Sequence, residues 1–189
     1  MRQTALSAAV VAIVLAAASS ANAAAVSSHN SNITEAEVLA AQQNWGTALV
    51  QIAKDFETGG IDKARQTAGA TLDATYGYNM GPVLFKPTLT TAPQTFRITR
   101  DGALAYFVGG DKNFPNDTGF ALNGWRSVEI SNAAIHINGD VAKTMGKVRI
   151  TDKAGAVTEV DKTWAFKKDD ADCTRIVLHH SSLPHKGAK

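Results

Sequence analysis

Three of the chain's five histidines fall in one stretch, Arg175-Ile176-Val177-Leu178-His179-His180-Ser181-Ser182-Leu183-Pro184-His185. Its apolar, β-branched start reads as a strand. Side chains alternate along a strand, so Val177, His179 and Ser181 share one face while Leu178, His180 and Ser182 share the other. Neighbouring histidines on opposite faces cannot grip one metal ion, whereas His179 and Ser181 can hold one small ligand between an imidazole and a hydroxyl. The competing reading is structural: one histidine satisfies a buried strand end and the other faces water. A zinc site needs three protein ligands and an open position. The donors available are His179 or His180, His185, His136 and scattered carboxylates, with no His-x-x-x-His spacing to join them. A serine hydrolase needs a nucleophile elbow, and no Gly-x-Ser-x-Gly occurs.

The rest of the composition narrows the chemistry further. One cysteine, Cys173, excludes an intramolecular disulfide, multi-cysteine zinc sites and thiol-pair redox exchange. With 19 Lys+Arg against 17 Asp+Glu and no basic run longer than two residues, the chain lacks the positive stripe that nucleic acid requires. Lys86 and Arg126 are the basic residues that could hold a small anion. Trp45, Trp125 and Trp164 sit at core spacing and read as packing.

The elements that must position these groups follow from periodicity. Residues 1–23 begin with Arg2, continue through the apolar stretch Ala8 to Ala16 and end in Ala21-Asn22-Ala23, the pattern of a cleaved secretory signal peptide, which predicts a periplasmic or secreted protein with no membrane span after cleavage. Residues 24–33 read as a disordered leader. Residues 34–185 then form a single domain, as the length of 189 residues allows. Thr34-Glu35-Ala36-Glu37 is a capping box that starts a helix, with Val38, Ala41, Trp45, Leu49 and Ile52 on its apolar stripe and Gly59-Gly60 as its left-handed stop. A second helix is expected from Ile61 to about Tyr76, an extended segment at 83–88 ended by Pro87, and a short helix capped by Asp101. From Trp125 the period becomes two, with hairpin turns at Asn138-Gly139-Asp140 and Asp152-Lys153-Ala154-Gly155 and a longer polar turn at 167–172. The order is that of an α+β domain, helices packed on one face of a curved antiparallel sheet.

Three segments carry a family resemblance: Leu84-Phe85-Lys86-Pro87-Thr88, Ala105-Tyr106-Phe107-Val108-Gly109-Gly110, and Ile176 to Pro184 with its His-His-Ser-Ser ending. With Gly119-Phe120-Ala121-Leu122 and Gly124-Trp125 between them, they resemble the bacterial family related to the association domain of calcium/calmodulin-dependent protein kinase II, of nuclear transport factor 2-like (cystatin-like) fold. Within that family the chain is most similar to the iota-class carbonic anhydrases, from about Glu35 to Pro184.

The resemblance implies a cone formed by a strongly bent sheet around helices, a pocket inside it and a homodimer built sheet to sheet. By motif it implies Thr88, Tyr106, His179 and Ser181 as the catalytic residues and carbon dioxide and bicarbonate as substrates, a lyase reaction. Three hydroxyls can orient water and stabilise developing charge, and His179, titrating near neutrality, can take up or relay the proton. No cofactor is expected, a divalent zinc or manganese being the alternative. Two further readings are an isomerase or cyclase with Asp73 or Glu129 as base, and a non-catalytic assembly domain.

Overall fold

The computed structural model describes residues 30–185, so the expected signal peptide and most of the expected leader lie outside the described residues. Residues 31 onward form one compact unit. The leader ends earlier than expected: Ile33 is buried and its amide donates to the Gly139 carbonyl at 2.9 Å. Ile33 and Val38 flank the Thr34 cap in the positions of a hydrophobic staple, and both belong to the core. The capping box itself is formed, with the Glu37 amide on the Thr34 hydroxyl at 3.3 Å and the Thr34 amide on the Glu37 carboxylate at 2.7 Å.

The two expected helices are one run, α1 (Glu35–Thr75), bent at Gly60, whose φ of 72° and ψ of −165° interrupt the helix without a loop. Asp55 braces the bend by accepting from Thr67 on its far side at 2.7 Å. The extended segment is β1 (Leu84–Lys86), ended by Pro87, which has no amide to continue the ladder. The short helix α2 (Arg100–Val108) begins one residue before Asp101. Its cap is Thr99, whose hydroxyl accepts from the Gly102 amide at 3.2 Å, while Asp101 sits in the first turn, where its charge favours the helix N-terminus.

Four strands follow, β2 (Trp125–Asn138), β3 (Val141–Asp152), β4 (Val157–Lys168) and β5 (Thr174–Ser182), joined by the expected turns. The sheet order is β1-β5-β4-β3-β2. The last four strands pair antiparallel as read, but β1 adds to β5 in parallel, with Phe85 opposite His179. That pairing joins segments far apart in the chain and has no local turn to announce it.

The sheet bends where β2 carries an irregularity between Asn132 and Ala134. Gly146 lies opposite, and a Cβ there would stand 2.0 Å from the Ser131 carbonyl oxygen, so only glycine permits the approach. The buried amide of Gln42 on α1 is satisfied there by exchanging hydrogen bonds with Asn132 at 2.8 and 2.9 Å. The inner sheet face, with Val148, Ile150, Val160, Trp164, Phe166 and Ile176, packs on Trp45, Leu49, Ile52, Leu72 and Tyr76 of the helical layer and its end.

Candidate active site

Between the inner face of β3 to β5, β1 and the end of α2 lies a cavity of about 30 Å³. That is room for a molecule of a few atoms. Trp45, Phe85, Phe107, Phe120, Val148 and Ile150 form its apolar walls, and Thr88, Tyr106, Lys162, His179 and Ser181 supply polar atoms. All four residues singled out from the sequence therefore line one cavity.

They arrive from three parts of the chain. Thr88 follows the proline that ends β1, and Tyr106 sits in the last turn of α2 with its ring stacked on Phe120 at 5.3 Å. Burial pushes the Tyr106 phenol's pKa well up, so it keeps its proton and stays a donor to the cavity. Among the described residues the hydroxyls of Thr88 and Ser181 have no protein partner and are likewise open to a ligand. On β5 His179 and Ser181 point inward and His180 outward, as alternation requires.

His179 is held on every side. Its ring lies 4.3 Å from that of Phe85, 5.8 Å from Tyr76 in a parallel stack and 5.4 Å edge-on from Trp45. Its protonation follows from a chain of hydrogen bonds. The Trp45 indole N–H, which can only donate, gives its proton to the Tyr76 oxygen at 3.0 Å. Tyr76, 2.7 Å from Nδ1 of His179, then directs its own proton there. Nδ1 accepts, the neutral ring carries its hydrogen on Nε2, and Nε2 meets the Nζ of Lys162. That contact is satisfied when Lys162 is a neutral amine accepting from Nε2–H. Burial first, then the neighbouring Lys162 and His180, hold the His179 pKa well below the usual histidine range. The expectation that His179 titrates near neutrality is therefore corrected: enclosed in aromatic rings, it stays neutral and serves as a fixed donor.

Lys162 and Tyr76 are the site residues that sequence reasoning missed. The signal for Lys162 was present: β4 reads Val160, Lys162, Trp164, Phe166 at every second position, so a lysine interrupts the inward apolar row. Its Nζ lies over the rings of Trp45 and Trp164 at 4.9 and 5.0 Å, and among the described residues it makes no ion pair. Burial alone pushes its pKa well below the usual lysine range. The folded state then binds fewer protons than the unfolded chain, whose Lys162 stays charged up to its ordinary pKa, so stability increases with pH in that window. Urea unfolding should show stability rising by up to about 1.4 kcal/mol per pH unit as pH climbs toward the ordinary lysine range, with a shallower slope in Lys162→Met. An equal slope in the variant would show that the native amine is charged.

The remaining candidates lie elsewhere. Arg126 is committed to the Glu57 carboxylate at 2.9 Å, and Lys86 pairs in register with His180, away from the cavity. Asp73 is bound to Arg100 at 2.5 and 2.7 Å and Glu129 is exposed, so neither faces the cavity as a base. Trp125 packs on Phe120, and Trp164 packs behind His179, as core residues, while Trp45 does both jobs. Among the described residues no three His, Cys, Asp or Glu side chains come together as metal ligands, and Cys173 is exposed.

Comparison with known proteins gives the site its context. A family model described as metal-independent carbonic anhydrase matches residues 36–183. A protein of that name from Nostoc sp. strain PCC 7120 is 60% identical over 157 residues, 83% of this chain and 77% of that protein. A crystal structure of the iota-carbonic anhydrase from a cyanobacterium, complexed with bicarbonate, is 58% identical with a TM-score of 0.84, covering 86% of this chain and 99% of that one. The resemblance read from the Lys-Pro-Thr, Tyr-Phe-Val-Gly-Gly and His-His-Ser-Ser segments thus extends over nearly the whole described chain, which belongs to the metal-independent carbonic anhydrases.

Proposed function

We propose that the cavity ringed by Thr88, Tyr106, His179 and Ser181 is where this carbonic anhydrase interconverts carbon dioxide and bicarbonate. The observation that carries this reading is the convergence of three hydroxyls and one fixed imidazole on an apolar space of about 30 Å³, the size of the substrate. Carbon dioxide suits the aromatic walls. As the water oxygen bonds to its carbon, one C–O π pair moves onto oxygen, and that oxygen becomes anionic. Donors already aimed at it, the Tyr106, Ser181 and Thr88 hydroxyls, stabilise the charge in a site of low dielectric, and His179 holds Lys162 beside them. The proton lost by water leaves through the cavity mouth to solvent. Bulk water, with a pKa near 15.7, is a poor nucleophile; holding it against the carbon supplies the entropic part of the barrier.

The test is stopped-flow carbon dioxide hydration by untagged protein before and after exhaustive chelation. Activity should survive chelation unchanged. Loss on chelation with recovery on adding zinc or manganese would overturn the metal-free mechanism, and inactivity in both states would remove the cavity from this role. The two faces of β5 give a second test. His179→Ala should lower kcat/KM by about 10²-fold through misplacement of Lys162 and of the cavity wall that the imidazole anchors, while His180→Ala, on the outer face, should change it by about twofold or less. The reverse order would put the site on the other side of the sheet.

The enzyme's setting belongs to the same proposal. The basic, apolar and small-residue pattern of residues 1–23 supports export to the periplasm or beyond the cell, with residues 34–185 as the single catalytic domain. The outer sheet face, where Met145 is 62% exposed next to Gly146, supports a homodimer packed sheet to sheet. Light scattering of the mature protein at twice the chain mass supports that arrangement, and a monomeric mass at micromolar concentration overturns it.

A further inference from the structure

We infer that Lys162 is a modification site at which carbon dioxide itself adds to the side-chain amine, forming a carbamate inside the cavity. The inference rests on the reading that carbon dioxide enters this cavity. Its structural basis is separate from the hydroxyl set: a lysine end that lines the same space, sits over two indole rings, has no carboxylate partner among the described residues and is held from behind by a histidine N–H. The proton accounting along Trp45, Tyr76 and His179 leaves that amine its lone pair. Burial points the same way, since it holds the Lys162 pKa well below its usual range. A desolvated neutral lysine is a nucleophile toward electrophilic carbon.

The step balances without any further reagent. The Nζ lone pair forms a bond to the carbon of carbon dioxide, one C–O π pair moves onto oxygen, and one amine proton leaves to water, the reaction's own co-substrate. The product is a secondary carbamate with one negative charge, and nothing is oxidised or reduced. Nε2–H of His179, which had donated to the amine, is placed to donate to a carbamate oxygen instead. Ser181 is the register partner of Lys162 on β5, and its open hydroxyl lies beside the new group, with Tyr106 across the cavity. A carboxylate added there fills a space of about 30 Å³, so the modified chain excludes substrate until the carbamate loses carbon dioxide.

The experiment is covalent trapping on the full chain. The protein is equilibrated with ¹³C-labelled carbon dioxide and bicarbonate, alkylated with triethyloxonium to fix any carbamate as its ethyl ester, digested and analysed by mass spectrometry, and a ¹³C spectrum is taken of the untrapped protein. The expected result is a labelled ethyl carbamate on the Lys162 peptide, rising and saturating with carbon dioxide, with occupancy at least tenfold above that of exposed lysines such as Lys147 and Lys167. Lys162→Arg should lose the labelled resonance, and Lys162→Met serves if the arginine does not fold. No label at Lys162, or equal label on exposed lysines, would overturn the inference. Hydration assayed in parallel separates the two readings: activity without the adduct sinks only the carbamate, and an adduct on a protein that stays inactive at carbon dioxide levels too low to modify Lys162 sinks only the proposed hydration site.

Discussion

Tyr106→Phe should lower the carbon dioxide hydration rate by about 10²- to 10³-fold, the range seen when one preorganised donor to a developing oxyanion is removed. The phenylalanine ring keeps the stack on Phe120 and the edge contact with Phe85 at 5.6 Å, so the walls of the cavity survive. What disappears is the one phenolic proton that this residue offers the cavity. Loss of one buried hydroxyl should cost the fold about 1 kcal/mol or less, too little to unfold it. Stopped-flow hydration combined with thermal melting separates the two effects. Full activity in a folded Tyr106→Phe protein would remove this hydroxyl from the mechanism, and Ser181→Ala, whose hydroxyl has no protein partner to lose, is the cleaner companion.

The largest loss of stability should come from Asp117→Ala. Asp117 and Arg97 form a bidentate pair at 2.6 and 2.8 Å, with side chains 3% and 2% exposed. The same guanidinium donates to the Gln94 and Phe96 carbonyls and lies 4.6 Å above the Phe114 ring, while the Arg97 amide donates to the Phe85 carbonyl at 2.9 Å. This cluster fastens the loop before α2 to the loop after it and both to β1, and so fixes where Thr88 and Tyr106 stand. Removing the carboxylate strands a buried cation, a loss of about 3–5 kcal/mol. Urea unfolding measures it directly. Replacing both partners by apolar residues, Arg97→Met with Asp117→Leu, should recover much of the loss, because the penalty lies in the unpaired charge. A loss under about 1 kcal/mol in the single variant would show that the pair is solvated and does not hold the loops.

The helical layer and the four antiparallel strands were legible because each rests on short-range physics. Thr34 and Glu37 cap each other three residues apart, and the apolar stripe of α1 and the alternation of β2 to β5 declare which faces turn inward. That alternation already set His179 and Ser181 together and His180 apart. Thr88 and Tyr106 were reached through motif resemblance, since nothing in the spacing of loop residue and helix residue says that they face one cavity. Some local signals were misread. Asp101 reads as the cap that Thr99 provides, Ile33 falls in the expected leader although an apolar residue just before a cap is a staple, and Lys162 hides within an apolar row.

The amino-acid sequence alone determined the element types, the inward faces and the family, because capping, periodicity and motif are properties of residues within a few positions of one another. Only the tertiary structure decided the parallel addition of β1 to β5, the Arg97–Asp117 cluster and the Trp45, Tyr76, His179 and Lys162 chain, whose links span 31, 103 and 17 positions. Those links also decide the chemistry. Whether a histidine is a titrating base or a fixed neutral donor, and whether a lysine is a surface cation or a buried amine, depends on desolvation and on hydrogen-bond partners that come together only when distant segments pack.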